Sequence, residues 1–585
     1  VTVREAAPET ELEIDLEVDR SVPAGEPSTW KPFFAWSASI YLVSVLALLA
    51  RLLRATDGHL VYVLDDPAIH LSVAQNLIHH GTWGVAAGHF QSASSAPVWT
   101  VLEALALGVA PGARDAIPLL LNVIPGIWLL WVIAHNQSVL RPSIRRPLHL
   151  AGTVAAVVAV LYLPALAFAG MEHTLHAVLI VIVVLLFQRR ETGRSDRWPR
   201  WLPFALLAVA TLTRFETAFV AAGLGLGVML QSLERFAPSG RALPWRRQAR
   251  ETALIGLASG VPLACFAIWN HAMGQGLLPN SVLDKSQLTG VDFVSPFGFQ
   301  TIGTHLIQDP LVAATGFLGV GYLAFCRVGR NRCVPMAAVL AVAVPLQVVF
   351  AQIGWFDRYQ NYLIVLGFVA LLQIVAEARD VAGAVSPSPS QRPRYGRAVA
   401  GLLVLAVFLV PMKVFSTEHV ASEAQDTYEQ RYQVARFLAR YYQGQSIATG
   451  ELGYVSMLHR GPVTDLLGLG DYEVLRARQQ GKYGPAYWAD LVKRRKTSVV
   501  AIYPSTIQLS QIPPNWISVG NWTLHGQLLS AYSSTFEFWS PTPEGVKPLE
   551  AHLREFAKQL PPRETLDINS LAEYRANQML AKQGH

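Results

Sequence analysis

Long apolar runs with almost no charge recur along this chain, bounded by arginine, glycine or proline. They lie near 36–53, 116–137, 149–168, 172–187, 201–213, 216–233, 252–270, 305–326, 333–353, 359–377 and 397–415. Most are long enough to cross about 30 Å of hydrocarbon as a helix. Inside lipid a helix satisfies its own backbone N–H and C=O groups, so the pattern predicts about eleven membrane-spanning helices. A different pattern follows the first run. LDDPAIHLSVAQNLIHHG places Asp before Pro at a helix start and Gly81 as its stop, which predicts a helix over 67–80. The next segment, SSAPVWTVLEALALGVAPG, is apolar but carries Glu103. It reads as a helix lying in the membrane interface with Trp99 as its anchor.

Beyond Phe415 the pattern changes. SVVAIYP and LLSAYSSTFEFW are strand-like, whereas YEQRYQVARFLARYY and LEAHLREFAKQL are helical. The chain therefore divides into an acidic tail (1–33), a helical transmembrane domain (34–415, with a first outer loop at 54–115) and a C-terminal α/β or α+β domain (416–585).

Composition supports a polytopic membrane protein: 52% of residues are hydrophobic, 15% are charged, and the mean hydropathy is +0.31. Arginine sets the orientation. Arg141, Arg145 and Arg146, then Arg189 to Arg200, Arg241 to Arg250, Arg327 to Arg332 and Arg392 to Arg397 all fall on one side of the spans. By the positive-inside rule that side is cytoplasmic, and the protein is a multi-pass protein of the cytoplasmic membrane. The pI near 9.1 then reflects topology and gives no sign of a nucleic-acid partner. The acidic tail leads into a full-length span, with no cleavable leader expected. Cys265, Cys326 and Cys333 form neither a disulfide framework for the outer domain nor a zinc spacing.

The opposite, extracytoplasmic loops hold the unusual residues. Asp65-Asp66 supports three readings: a helix cap, a general base whose proton affinity is raised by its neighbour, or a pair of ligands for a divalent cation. Arg214, Lys285 and Arg358 sit at span ends on the same face, where guanidinium and ammonium groups suit a lipid-linked phosphate. The plainer alternative is that each pairs with Glu216, Asp284 or Asp357 or reaches to headgroups. Glu172, His173, Glu216, His271, Asn280 and Trp99 are further candidate substrate contacts on that face.

Taken in order, these pieces resemble the GT-C membrane glycosyltransferases, and more closely the branch with the terminal arabinofuranosyltransferases of actinobacterial cell walls. The matching segments are Asp65-Asp66, Gly81 and Gly84, Ser94-Ser95-Ala96-Pro97-Val98-Trp99-Thr100, Gly170-Met171-Glu172, Leu212-Thr213-Arg214-Phe215-Glu216, Leu278-Pro279-Asn280-Ser281 and Arg358-Tyr359. In the outer domain they are Glu451-Leu452-Gly453-Tyr454, Arg460, Asp465 and Gly468-Leu469. His173, Phe215 and Gln360-Asn361 depart from the family pattern. The resemblance implies an inverting transfer of a sugar, arabinofuranose in that branch, from a polyprenyl-phosphate donor to a cell-envelope glycan. It implies Asp65 by preference as the base, Asp66 as its orienting partner or a cation ligand, and Arg214, Lys285 and Arg358 on the donor phosphate. The resemblance implies no firm cofactor beyond the lipid-linked donor. A ligase or polymerase of lipid-linked oligosaccharides and a lipid-linked sugar transporter are the alternatives. A transporter would carry polar or broken helices at mid-membrane, whereas here the polar residues gather at outer ends.

Overall fold

The computed structural model describes residues 30–136, 154–155, 157–191, 198–237, 241–285, 309–326, 331–354, 356–384, 413–504, 507, 509–530 and 533–569. The acidic tail, most of the run near 397–415 and the arginine connections at 141–146 and 392–397 lie outside them.

Helices occupy each expected apolar run that falls within the described residues. In chain order the N-terminal part holds α1 (Trp30–Ala55), α2 (Asp66–His80), α3 (Pro97–Val109), α4 (Ile117–Asn136), α5 (Leu163–Ala169), α6 (His173–Glu191) and α7 (Leu202–Thr213). There follow α8 (Thr217–Leu230), α9 (Trp245–Ala272), α10 (Asn280–Lys285), α11 (Pro310–Phe325), α12 (Val334–Phe350) and α13 (Asn361–Ala384). Among the described residues four helices are long and apolar enough to cross a membrane by length and composition: Trp30–Ala55, Pro111–Asn136, His173–Arg190 and Trp245–Ala272. The other apolar helices are shorter. Their buried faces share one core, in which Tyr41, Leu129, Phe168, Phe187, Leu340 and Tyr362 are enclosed.

Small residues let these helices approach closely. Gly223 and Gly227, one turn apart on α8, face the α12 backbone. An added Cβ would lie 2.5 Å from Val339 Cα at the first and 2.7 Å from Pro335 Cα at the second. Where lipid is as apolar as the helix, such contact area is what holds a pair together.

The first loop folds back as α2 packed on α3. Gly81, with φ +62°, lets its own N–H reach Leu77 O and that of Thr82 reach Asn76 O, which ends α2. The structure corrects the interfacial-anchor reading of Trp99. Trp99 and Glu103 lie one turn apart on the inward face of α3, and both are fully buried. The outward face carries Val101, Leu105 and Val109, all exposed. An indole enclosed by protein cannot sit among headgroups, and it is the apolar flank that looks outward.

Residues 447–568 carry a six-stranded mixed sheet in the order β2-β1-β3-β5-β4-β6. Its strands are β1 (Ile447–Thr449), β2 (Val463–Asp465), β3 (Val499–Ile502), β4 (Ile517–Leu524), β5 (Thr535–Ser540) and β6 (Glu564–Ile568). The β1–β2 and β1–β3 pairs are parallel, and the β3–β5, β5–β4 and β4–β6 pairs are antiparallel. The helix leading into the sheet is α14 (Val420–Asp426), a π-helical turn (Thr427–Tyr432) and α15 (Gln433–Tyr441). The wider turn aims Thr427 at Val63 O (3.3 Å) and Tyr428 at Asp57 (3.1 Å), while Arg431 points to Glu451. Crossing helices are α16 (Gly453–Leu458), α17 (Tyr472–Gln479), α18 (Pro485–Arg494) and α19 (Val546–Phe556). One face of the sheet shares a core with the first loop: Ile69, Val73 and Leu107 belong to the same cluster as Phe437, Tyr454 and Trp522. The other face is closed by Trp488, Leu491 and Trp516.

Replacing Gly227 by Leu forces side-chain atoms into the α12 backbone. It is expected to cost about 1–3 kcal/mol, read as a lower melting temperature of the purified protein. Leu at the nearby exposed Gly256, where an added Cβ meets nothing within 4 Å, is expected to leave it unchanged.

Candidate active site

The Asp pair is positioned by its flanking backbone. Tyr62 accepts the Leu119 N–H (2.9 Å) and donates to Asp115 O (2.7 Å), and its own N–H donates to the Tyr454 hydroxyl (2.9 Å). Gly170 lies beneath this segment in a left-handed conformation (φ +65°), where a Cβ would meet the Tyr62 ring at 2.5 Å and Pro67 at 3.0 Å. This is the physical need behind glycine at the head of Gly170-Met171-Glu172.

The two carboxylates have different partners. Asp65 precedes α2 yet makes no side-chain cap to it. Its Oδ2 accepts the Gly453 N–H at 2.6 Å and its Oδ1 the Tyr454 N–H at 3.0 Å, at the start of α16. Asp65 therefore caps a helix, but one 388 residues away in sequence. Gly453 is required at that point, since a Cβ would stand 2.4 Å from the Asp65 carboxyl carbon. Burial raises the Asp65 carboxyl above its ordinary range, opposed by Arg431 and the two N–H groups and assisted slightly by Asp66. Asp66 Oδ2 instead pairs with Arg358 Nη1 at 2.6 Å, with its side chain 23% exposed. Behind them Glu451 is paired with Arg431 at 3.3 Å. Burial nevertheless pushes Glu451 up to about 8, with Asp65 and Asp66 adding to the effect.

From Arg358 the charges continue inward. Arg358 donates from Nη1 to the Met171 sulfur (3.0 Å) and from Nη2 to the Tyr359 hydroxyl (2.7 Å). Arg214 lies 5.4 Å from the centre of the Tyr359 ring. It donates to Glu172 at 2.6 Å, contacts His173 Nε2 at 2.8 Å and pairs with Glu216. His173 also meets Tyr359 edge to face. The structure thus brings together Asp65, Asp66, Arg358, Arg214, Glu172, His173 and Glu216 from four separate segments. Arg214 and Arg358 are both buried, and each is held by carboxylates.

Other expected site residues stand apart from this array. His271 is exposed at the end of α9. Asn280 is buried at the start of α10, where its N–H donates to Ser92 O (3.0 Å) and ties that turn to the first loop. Lys285 ends α10, and its side chain lies outside the described residues. Trp99 packs within the protein. A divalent cation fits the Asp pair poorly. Both Asp65 oxygens accept backbone N–H groups, Asp66 pairs with Arg358, and among the described residues no three His, Cys, Asp or Glu converge as a ligand set.

Sequence reasoning missed Lys413. It is buried, pairs with Asp357 and lies 5.1 Å from the Tyr162 ring centre. It lines a cavity of about 590 Å³ with Ser416, His419, Glu423 and Ser530. Tyr162, Phe356 and Asp357 on its wall have φ between 56° and 66°, a conformation costly for non-glycine residues and concentrated at functional sites. A lone lysine at the end of the last apolar run was the available signal. A separate apolar cavity of about 420 Å³ lies at the far end of α6, beside Arg189 and Trp198.

A family model described as a domain of unknown function (DUF8728) matches residues 420–539, from α14 through most of β5. No curated protein matches the sequence. Among solved structures, the chain is similar to ArnT from Cupriavidus metallidurans bound to undecaprenyl phosphate, with a TM-score of 0.48, 15% identity, and coverage of 89% of this chain and 99% of that one. It is also similar to the oligosaccharyltransferase of Archaeoglobus fulgidus tethered to an acceptor peptide, with a TM-score of 0.44, 12% identity, and coverage of 83% and 72%.

Glu451 gives the site a pH signature. Its folded value of about 8 exceeds the ordinary 4.5, so the folded state holds the extra proton between those values. Its contribution to stability is then full below about 4.5 and declines as pH rises to about 8. Glu451→Gln is expected to raise the melting temperature at pH 9 relative to the native protein and to leave it unchanged at pH 5. Parallel melting curves at both pH values would contradict this assignment.

Proposed function

We propose that the protein is an inverting glycosyltransferase of the GT-C type, moving a sugar from a polyprenyl-phosphate donor to a cell-envelope glycan on the extracytoplasmic face of the membrane. Arabinofuranose is the sugar implied by the sequence resemblance. The observation that carries the reading is the array Asp66–Arg358–Tyr359–Arg214, in which both arginines are buried and the Asp66 side chain is 23% exposed. Separated fixed cations next to a partly exposed carboxylate suit a reaction that builds negative charge on a phosphate while a hydroxyl loses its proton.

In this reading the acceptor hydroxyl gives its proton to Asp66. Its oxygen bonds to the anomeric carbon, and the bond from that carbon to the phosphate oxygen breaks, the electron pair leaving on the lipid phosphate. Arg358 and Arg214 take up that charge, with Glu172 and Glu216 holding the Arg214 guanidinium in place. Asp66 replaces Asp65 as the preferred base because the Asp65 oxygens are already engaged by Gly453 and Tyr454. Arrival of a phosphate at Arg358 draws that cation from Asp66 and raises the carboxylate's affinity for a proton. Donor binding would thereby switch on the base.

The test is transfer from a polyprenyl-phosphoryl sugar to an acceptor glycan. Asp66→Asn is expected to lower the rate by about 10²–10⁴-fold in a protein that still folds, with a lower melting temperature because Arg358 keeps an amide oxygen as acceptor and loses its counter-charge. Arg358→Gln is expected to lower it by about 10²–10³-fold. Asp65→Asn is expected to act mainly on stability, costing about 1–2 kcal/mol. Full activity in a double Asp65→Asn, Asp66→Asn variant would sink the mechanism.

A further inference from the structure

A cavity of about 830 Å³ is lined by none of the residues of the charge array. One wall is the first loop at 86–91, a second is the turn at 274–275, and the third is the sheet's β2–α17 side with Tyr487 and Arg495. Struts hold the walls together. Gln91 donates to Gly470 O at 2.6 Å and accepts the Ala86 N–H at 2.8 Å, and Gln275 reaches Phe90 O at 3.5 Å. The cleft is linked to the Asp pair through packed side chains. A Cβ on Gly470 would meet Leu452 at 2.8 Å and Val85 at 3.1 Å, and Leu452 precedes the Gly453 whose N–H holds Asp65.

The lining sorts into groups already used and groups left over. Asp471 and Glu473 are both taken by Arg495, and Glu473 also by Arg494 at 2.7 Å. Arg476 and Lys482 are exposed, and neither has a carboxylate partner among the described residues. Tyr472 and Tyr487 are half-buried, with the Arg476 guanidinium 5.9 Å from the centre of the Tyr472 ring, and the Tyr487 hydroxyl has no hydrogen-bond partner among the described residues. The volume falls in the range of ligand sites, about 300–1,000 Å³.

This mixture narrows the ligand. A lipid chain would need apolar walls, and a nucleic acid would need a continuous basic track, which two leftover cations do not make. A sugar ring has one apolar C–H face for an aromatic ring and a rim of hydroxyls for amide, guanidinium and phenol groups. The two leftover cations call for anionic substituents on that sugar. We propose that this cleft is an oligosaccharide-binding subsite that takes an acidic segment of the acceptor glycan, remote from the reacting hydroxyl. The proposal rests on the glycosyl-transfer reading for the word acceptor, but binding itself requires neither donor nor Asp66.

The experiment is calorimetric titration of the full-length protein in lipid nanodiscs with two probes, tetragalacturonic acid and maltotetraose. Tetragalacturonic acid is expected to bind more tightly than maltotetraose and to weaken as salt rises. An Arg476→Ala, Lys482→Ala double variant is expected to lose about tenfold or more of its affinity, the size of one or two charge-assisted hydrogen bonds. Tyr472→Ala is expected to weaken both probes, and Asp66→Asn neither. The proposal is overturned if neither probe binds below about 10 mM. It is equally overturned if the double variant binds tetragalacturonic acid as the native protein does with an unchanged melting temperature. Loss of transfer in Asp66→Asn with probe binding intact supports both readings, whereas absence of transfer by the native protein with tight probe binding overturns the enzyme reading alone.

Discussion

The Asp65 carboxylate takes the two backbone N–H groups that open α16, and much of the molecule is arranged around that contact. It fixes the first loop to the sheet-bearing region, and the shared core of Ile69, Val73, Phe437 and Trp522 closes over it. The same contact decides what is left for Asp66. With Asp65 committed, its neighbour turns outward to Arg358, and two adjacent acids acquire unrelated duties. Like-charge repulsion is contained because Asp65 is held by N–H groups and Asp66 by Arg358, while Glu451, beside Arg431, keeps its proton up to about pH 8.

The buried cations obey a parallel logic. Arg214 and Arg358 are desolvated, which is costly unless every guanidinium has acceptors. Glu172, Glu216 and Asp66 supply them, and Tyr359 stands between the two arginines as a shared hydroxyl and ring. Removing one acid would leave an arginine stranded, so the array is rigid until an anion of comparable charge takes the place of a carboxylate.

Much of this was legible in the chain. Apolar runs located the helices, Asp-Pro and Gly81 marked α2, and the isolated charges at helix ends named Asp65, Asp66, Arg214 and Arg358. What escaped depended on contacts between distant segments. Nothing near Asp65 says that its oxygens belong to Gly453 and Tyr454, which is why it looked like the freer base. Trp99 looked like an interfacial anchor because an apolar helix with one acid has two faces, and sequence alone does not say which is inward. Strands β1 and β2 have three residues each, too short for a period-two pattern, and β4 is interrupted by Gly520-Asn521. Lys413 was passed over because it stood alone.

The reversed polarity of α3 has a mechanical consequence. A helix whose enclosed side carries Trp99 and Glu103 and whose outer side is Val101, Leu105 and Val109 behaves in a bilayer as a float. It settles at the depth where its aliphatic flank meets acyl chains. Because α2 is packed on it, and Asp66 is also tied to Arg358 just before α13, a shift of that flank relative to the helix bundle would be felt at the carboxylate.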